Sequence, residues 1–380
     1  MRLLLCLVLL TLVAGGCTAG RRVSVSCPPE GQGPAAPFPD AAFCRLPEAA
    51  YLLMGESHTS PCDHAAQRTL MEMIGASRSG QWPQGTPVVA LEMVATDRQR
   101  VLDRFNNKLI GLQELRQELD WDRTWGHPWE LYAPVFQAAR DAGLPLHAAN
   151  VPQRLVELVR TKGLDAAAAE AGEDGIHLPE TIILPQQEQL EFLREFFSRH
   201  SEMLRKQDDA GFERFIRIQS LWDTAMARNL VRLRQQTGRP VLLIVGSGHV
   251  EHGWGVKRRL REFDPGAPVL SLLPVRDPED LQDAPAGELR FLCPPSHFSR
   301  LGYAVEEGEA GVVLTAVIAG SPAAGLGMQV GDVLLAINDI PVDGIGDLHV
   351  IPMQLKGDTL RYRLRRGEAE LELTLNRSPR

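Results

Sequence analysis

Two short motifs hold the residues of this sequence that are best suited to chemistry. Both have the pattern Gly-x-x-His, as Gly-Glu-Ser-His at 55–58 and Gly-Ser-Gly-His at 246–249. Each follows a short apolar segment of the kind that forms a buried strand, and Glu92 follows a third such segment. Because the carboxyl ends of neighbouring parallel strands meet at one edge of a sheet, we expect these side chains to converge. The converging set is Glu56, His58, Glu92 and His249.

Two imidazoles and two carboxylates in one place suit a transition metal such as Zn, Mn, Fe or Co in a site with open positions. A bound metal would acidify a water molecule and make it a nucleophile near neutral pH. Glu56 or Glu92 would then be the catalytic base. The alternative is structural, because Glu56 and His58 can satisfy each other and fix the turn after their strand. Spacing alone leaves both interpretations open.

Further residues are candidates for the wall of a ligand pocket. The aromatic segment at 121–132 predicts either a platform at the pocket mouth or ordinary core packing. Asn150 follows another apolar segment, at a position typical of a helix start. Asp223 interrupts an apolar helical face, where it would orient a histidine or pair with Arg217 or Arg228. The predicted ligand-binding residues are Trp125, His127, Tyr132, Asn150, Trp222 and Asp223.

The elements that must position these residues alternate between strands and helices. Buried strands are predicted at 50–54, 88–91, 144–148, 241–245 and 269–273. Amphipathic segments lie between them, and two long ones within 186–234 form a predicted helical insertion. This alternation predicts an α/β fold with a mainly parallel sheet flanked by helices. We assign this domain to 45–275 and a polar, proline-rich linker to 276–298.

A second unit of different character follows at 299–378. It contains Gly-Ser-Pro-Ala-Ala and then Gly-Asp-Val-Leu-Leu-Ala-Ile-Asn within 320–338. These stretches resemble PDZ domains, which are small and rich in β-strands. The resemblance implies that Leu301, Gly302 and Tyr303 form a loop that binds the carboxylate of a peptide or protein C terminus, beside a strand whose edge accepts the peptide. The alternative is a PDZ domain used only for packing or for homodimer formation.

The N terminus resembles a bacterial lipoprotein signal. An apolar run after Met1-Arg2 ends in the small residues Ala-Gly-Gly, and Cys17 follows directly. We predict a signal peptide at 1–17, a lipid on Cys17 that anchors the protein to a membrane, and a Gly- and Pro-rich tether at 18–44. The resemblance implies the outer membrane of the cell envelope, facing the periplasm or the cell surface. An ordinary secretory signal ahead of a cysteine is the alternative.

Composition narrows the classes of function. The formal net charge of −8 over 380 residues argues against a nucleic-acid partner, which normally meets a basic patch. With 44% apolar and 23% charged residues, the chain has the composition of a globular protein. Four cysteines lie outside the signal, at 27, 44, 62 and 293, without the spacing of a metal motif. They allow three disulfide pairings in an oxidising compartment.

The order of motifs along 45–275 resembles the ChaN-like family of haem-binding lipoproteins. The matching residues are the two Gly-x-x-His motifs, Leu91-Glu92-Met93, Asn150-Val151-Pro152, Gln219, Leu221-Trp222-Asp223 and Met226-Ala227. The resemblance implies a protein that binds haem or an iron complex and takes part in iron uptake. The wider Tiki/TraB/erythromycin-esterase superfamily implies an alternative, a metal-dependent hydrolase acting on peptides delivered by the PDZ domain. By position, the motif histidines would face the metal, with the two glutamates as their partners.

The ligand of a haem iron stays open at this point. Haem carried outside the cell is often held by a tyrosine oxygen or a histidine nitrogen. The first domain offers Tyr51 and Tyr132 alongside His58 and His249. The sequence alone does not choose among them.

Overall fold

A computed structural model describes residues 45–77, 80–173, 178–204, 209–282, 284–354 and 359–376. The predicted signal at 1–17 with Cys17, and the tether at 18–44 with Cys27 and Cys44, lie outside the described residues. Within the described ranges, no helix combines the length and the apolar character needed to cross a membrane.

The chain folds into two sheets with helices packed around them. The strands are β1 (Tyr51–Glu56), β2 (Val88–Ala95), β3 (Leu146–Asn150), β4 (Val241–Gly246), β5 (Val269–Val275), β6 (Glu288–Leu292), β7 (Ser296–Phe298), β8 (Tyr303–Gly308), β9 (Gly311–Val317), β10 (Val333–Ile337), β11 (Ile340–Pro341), β12 (Thr359–Arg366) and β13 (Ala369–Asn376). The helices are α1 (Pro61–Gly75), α2 (Gln99–Asn106), α3 (Leu112–Glu118), α4 (Trp121–Thr124), α5 (Trp129–Asp141), α6 (Gln153–Lys162), α7 (Leu164–Glu173), α8 (Gln187–Leu204), α9 (Asp209–Thr237), α10 (Gly255–Phe263), α11 (Pro322–Gly325) and α12 (Ile345–Gln354).

The first sheet has the strand order β3-β2-β4-β1-β5-β6, and its pairings are parallel. The five predicted strands and the α/β fold class are confirmed, and α8 and α9 are the predicted helical insertion. Strands β1 and β4 are direct neighbours, with Glu56 opposite Gly246. The two Gly-x-x-His turns therefore leave the same edge of the sheet side by side, with the end of β2 next to them.

Helices cover both faces of this sheet. Alternate residues of β1 enter different cores: Leu52 and Met54 pack with α1 and α5, whereas Tyr51 and Leu53 pack with α9 and α10. Burial on both faces explains why the predicted strands at 50–54 and 241–245, which lie in the middle of this sheet, are continuous apolar runs instead of alternating with polar residues. It also fixes the register, because a slip of one residue would exchange the two faces.

The second sheet forms the PDZ domain. Its order is β13-β12-β10-β9-β8-β7, with β11 paired to β10, and its pairings are antiparallel. The segment predicted as a linker, 276–298, contains β6, which extends the first sheet, and β7, which extends the second. A disulfide joins Cys62, in the first turn of α1, to Cys293 between these two strands.

Candidate functional site

The first Gly-x-x-His motif is held by the end of β1 and the start of α1. Gly55 allows the second motif to pack closely against β1, since a Cβ atom at residue 55 would lie 2.8 Å from the Ser247 hydroxyl oxygen. Ser60 caps α1 by accepting a hydrogen bond from the Asp63 backbone N–H, and Asp63 in turn accepts one from the Ser57 N–H at 2.8 Å. These local bonds set the position of His58 between strand and helix.

The carboxylate of Glu56 is buried at the end of β1 and is surrounded by donors. It accepts hydrogen bonds from His58 Nδ1 at 2.9 Å, from the Tyr132 hydroxyl at 2.7 Å and from the Gln67 side-chain amide. His64 Nε2 lies 3.3 Å away. Burial alone would raise the pKa of Glu56, but His64 and His58 with these hydrogen bonds lower it to about 2. Glu56 is therefore a buried anion with its oxygens occupied.

His58 is the most exposed member of the predicted set. Its side chain is 29% exposed, against 9% for that of His249. With Nδ1 directed at Glu56, the remaining ring nitrogen, Nε2, is the one that can meet a ligand. Trp125 and His127 contact the ring, each with centroids 4.8 Å from it. Burial opposes protonation of His58, yet its pKa is raised because Glu56 and Glu92 lie close by.

The second motif histidine lies between two carboxylates. His249 Nε2 is 3.1 Å from Glu92 Oε1, and His249 Nδ1 is 2.6 Å from Asp223 Oδ1. Burial would lower the pKa of His249, but Glu92 and Asp223 together raise it to about 10. Asp223 also contacts Arg259 Nη1 at 3.2 Å. His249 is thus a buried cation with both nitrogens engaged.

The two interpretations of Asp223 were offered as alternatives, but both hold at once. Asp223 orients a motif histidine, and it also pairs with a buried arginine. The prediction that Asp223 pairs with Arg217 or Arg228 was wrong, because its partner is Arg259. Arg259 reaches Asp223 from α10, an element that helical spacing within α9 could not reveal.

The two halves of the site touch at Gly246. A Cβ atom there would lie 2.8 Å from His58 Cε1 and 3.6 Å from Glu92 Oε2, so only glycine lets the imidazole pack on the backbone. The Gly246 N–H donates to Glu92 Oε2 at 2.6 Å. The structure therefore brings Glu56, His58, Glu92 and His249 together at one edge of the sheet. Within the part of the chain that the structure describes, no group of three or more His, Cys, Asp or Glu side chains is arranged to hold a metal ion.

A cavity of about 340 Å³ opens next to this cluster. Three of the predicted ligand-binding residues line it, namely Trp125, Asn150 and Trp222, together with Glu92. Its size is within the usual range for small-molecule sites. Its other lining residues include Met93, Val94, Leu119, Val151, Pro152, Arg98, Arg123 and Arg154.

The other predicted ligand-binding residues, His127, Tyr132 and Asp223, are not among the residues that line this cavity. His127 packs against His58 and Trp125, and its pKa is lowered to about 3 by burial and by the charges of His58 and Arg300. Tyr132 and Asp223 are buried and act on Glu56 and His249. All three contact a member of the predicted set: His127 contacts His58, Tyr132 bonds to Glu56, and Asp223 bonds to His249.

Sequence reasoning missed the polar face of α1. Ser60, Asp63, His64 and Gln67 are all buried and recur at the spacing of one helical face. Polar residues on a buried helical face need hydrogen-bond partners, so the spacing of these four residues could have predicted that α1 contributes to the site. Asp63 is further bound by Arg276 through two hydrogen bonds of 2.7 Å.

The predicted carboxylate-binding loop lies at the start of β8. Gly302 has a φ of +84°, and a Cβ atom there would lie 2.4 Å from Ser321 Cβ. Only glycine fits both conditions. Leu301 and Gly302 are half-buried, and Tyr303 is buried in the core of the PDZ domain.

Comparison with known proteins agrees with both domains. The family described as haem-binding uptake, Tiki superfamily, ChaN matches residues 42–260, and a PDZ family matches 313–352. A structure of cofacial haem binding to ChaN of Campylobacter jejuni is 20% identical, covers 67% of this chain and 90% of that chain, and has a TM-score of 0.51. At this identity the likeness shows the fold.

A second similar structure is the HtrA3 PDZ domain bound to a phage-derived ligand, FGRWV. It is 22% identical, covers 22% of this chain and 88% of that chain, and has a TM-score of 0.18. No curated protein sequence matches the chain.

Proposed function

Because the chain belongs to the ChaN family of haem-binding uptake proteins within the Tiki superfamily, we propose that its first domain binds haem in the cavity beside His58. The family match spans residues 42–260, more than half of the chain. A flat apolar ligand with two carboxylates is the chemistry that this cavity has to accommodate.

The observation that carries the proposal is the geometry of His58. Glu56 holds Nδ1 at 2.9 Å, which orients the ring, and a carboxylate in this position strengthens an imidazole as an iron ligand. The side chain is 29% exposed, and its ring contacts Trp125, which lines the cavity. We infer that His58 Nε2 would hold the haem iron.

The tyrosines of the first domain support this assignment by their surroundings. The Tyr51 hydroxyl donates to Asp264 at 2.7 Å, and that of Tyr132 donates to Glu56 at 2.7 Å. Both side chains are buried, and burial together with these carboxylates raises the pKa of each phenol. A phenolate ligand at either position would have to form next to a carboxylate, and that carboxylate is buried in the case of Glu56.

The cavity wall fits the rest of a haem. Trp125, Trp222 and Met93 supply apolar surface for the macrocycle, and Arg98 and Arg123 supply positive charge for propionates. When bound, haem would supply iron in a form that the protein can hold and pass on. The residues of this chain would bind, orient and enclose it.

We further propose that the protein is anchored in the cell envelope through a lipid on Cys17 and takes part in iron uptake. The N-terminal sequence pattern supports the anchor. The disulfide between Cys62 and Cys293 supports an oxidising compartment outside the cytoplasm. Placement at the outer membrane follows from the resemblance of the signal alone, and a homodimer stays a prediction.

The metal-dependent hydrolase is the weaker alternative. His249 has both ring nitrogens on carboxylates, and Glu56 has its oxygens on donors, so these groups satisfy one another. The catalytic roles predicted for Glu56 and Glu92 stay predictions.

Titration with hemin tests the proposal. The wild-type chain should give a saturable Soret shift, and His58→Ala should weaken binding by at least tenfold, or about 1.4 kcal/mol. His147→Ala is the matched control, because His147 lies on β3 and the charged groups that act on it are Asp103 and Arg239, outside the candidate site. Equal affinity of the wild type and His58→Ala would reject the assigned ligand, and the absence of any saturable shift would reject haem binding.

A further inference from the structure

The strand that should receive a peptide in the PDZ domain has both edges paired. β8 pairs with β9 along one edge, from Tyr303 opposite Val317 to Gly308 opposite Gly311. Its other edge pairs antiparallel with β7. PDZ domains bind peptides by adding them as a strand to an open sheet edge. That edge is taken here by residues of the same chain.

β7 lies where a bound peptide would lie. Phe298 is opposite Ala304, His297 opposite Val305 and Ser296 opposite Glu306. The three β7 residues are buried, and α12 packs against both β7 and β8. The groove between this helix and β8 is therefore filled along the length of β7.

The carboxylate-binding loop is occupied in the same way. The Ser299 N–H donates to the Tyr303 carbonyl at 2.8 Å, continuing the strand pairing. The Gly302 N–H donates to the Ser299 carbonyl at 2.9 Å, and the Leu301 N–H donates to the Ser299 hydroxyl at 3.2 Å. Ser299 thus accepts from loop N–H groups that a terminal carboxylate would use.

β7 is also bonded to the first domain, at the turn after His58. The Phe298 N–H donates to the Thr59 carbonyl at 2.7 Å, and His297 Nδ1 lies 3.1 Å from the Thr59 hydroxyl. The hydroxyls of Ser296 and Ser60 are 3.0 Å apart. The Phe298 side chain joins the core of the first domain. One short strand therefore bonds both to the peptide groove and to the turn of the candidate site.

We propose that β7 occupies the PDZ groove in cis, so that a peptide with a free apolar C terminus enters only by displacing residues 296–299. Displacement breaks the bonds of β7 to Thr59 and Ser60, which directly follow His58. Peptide binding at one domain thereby loosens the turn that positions His58 in the other. Occupation of the groove by β7 does not depend on haem binding and is tested without haem, whereas the link to His58 rests on the proposed function.

The test uses the full chain in detergent and a fluorescent pentapeptide ending in valine, with its C-terminal amide as the control peptide. Fluorescence anisotropy measures the affinity. Phe298→Ala, which removes the anchor of β7 in the first domain, should bind the free-acid peptide at least tenfold more tightly than the wild type. Neither protein should bind the amide. Equal affinities, or no binding to Phe298→Ala, would overturn the proposal.

A cross-linked variant keeps the test decisive if Phe298→Ala does not fold. His297→Cys combined with Val305→Cys places two thiols on directly opposed residues of β7 and β8, and mass spectrometry verifies their disulfide. This variant should lose peptide binding. Binding equal to that of the wild type would show that the peptide does not need the place of β7.

Hydrogen exchange tests the coupling to the site. Saturating peptide should speed exchange at the Phe298 N–H, whose acceptor is the Thr59 carbonyl, and at the Ser60 N–H in the adjoining turn. The Val241 N–H, bonded within the first sheet to the Ala50 carbonyl, is the internal control and should not change. Bound peptide without faster exchange at 298 and 60 would reject the coupling.

Discussion

The two Gly-x-x-His motifs have the same pattern and the same position after neighbouring strands, yet their histidines differ in chemistry. His58 has one carboxylate partner and a side chain that is 29% exposed. His249 has a carboxylate on each nitrogen and is buried. The difference comes from residues outside the motifs, because α1 and α5 supply donors to Glu56, whereas α9 brings Asp223 to His249. A motif thus fixes where a side chain lies, and its neighbours decide whether it is available to a ligand.

The largest expected effect is a loss of stability when His249 is replaced. His249→Ala would leave Glu92 and Asp223 as buried carboxylates without their shared partner, at a cost of about 3–5 kcal/mol. His58→Ala should cost less than half of that, since Glu56 keeps Tyr132, Gln67 and His64. Urea unfolding of both variants measures the difference. Equal losses in the free energy of unfolding would mean that the two histidines contribute equally to stability.

A second variant tests whether the two halves of the site are in contact. Gly246→Ala places a methyl group 2.8 Å from His58 Cε1 and should cost about 1–3 kcal/mol through overpacking. Gly248→Ala, where a Cβ atom meets nothing within 4 Å, is the matched control. Urea unfolding should separate the two, and hemin affinity should fall only in Gly246→Ala. If both variants unfold alike, the packing of His58 on Gly246 is not tight.

The smallest expected effects are on hemin affinity and come from replacing Glu56 or Glu92. Glu56→Gln should weaken hemin binding about tenfold, because the residue that orients a ligating histidine tunes its affinity for the metal. Glu92→Gln leaves the bond between Glu56 and His58 intact and should change hemin affinity less. Titration of both variants by Soret absorbance measures the ratio. A larger loss in Glu92→Gln would move the ligand-binding role toward His249.

The fold of both domains could be predicted because local signals were strong. Three of the five strands, at 50–54, 88–91 and 241–245, appear as continuous apolar runs, and the PDZ domain is indicated by Gly-Ser-Pro-Ala-Ala and by the segment at 331–338. The convergence of Glu56, His58, Glu92 and His249 followed from strand ends alone. These inferences need only short stretches of sequence and one rule of sheet topology.

The remaining features depend on contacts between distant parts of the chain. β6 and β7 lie in a polar, proline-rich segment, and their pairing with β5 and β8 comes from the folded neighbourhood. Arg259 reaches Asp223 from another helix. The exposure that separates His58 from His249 likewise depends on α1, α5 and α9 together. No local pattern contains this information.

The most direct test of whether His58 holds the haem iron is resonance Raman spectroscopy of the hemin-loaded chain. The spectrum of the wild type is compared with those of His58→Ala, Tyr132→Phe and Tyr51→Phe. If His58 Nε2 holds the iron, the wild type and both phenylalanine variants will show one histidine-ligated spectrum, which His58→Ala alone loses. Iron–tyrosinate bands in the wild type that disappear in Tyr132→Phe or Tyr51→Phe, with His58→Ala unchanged, would contradict the account.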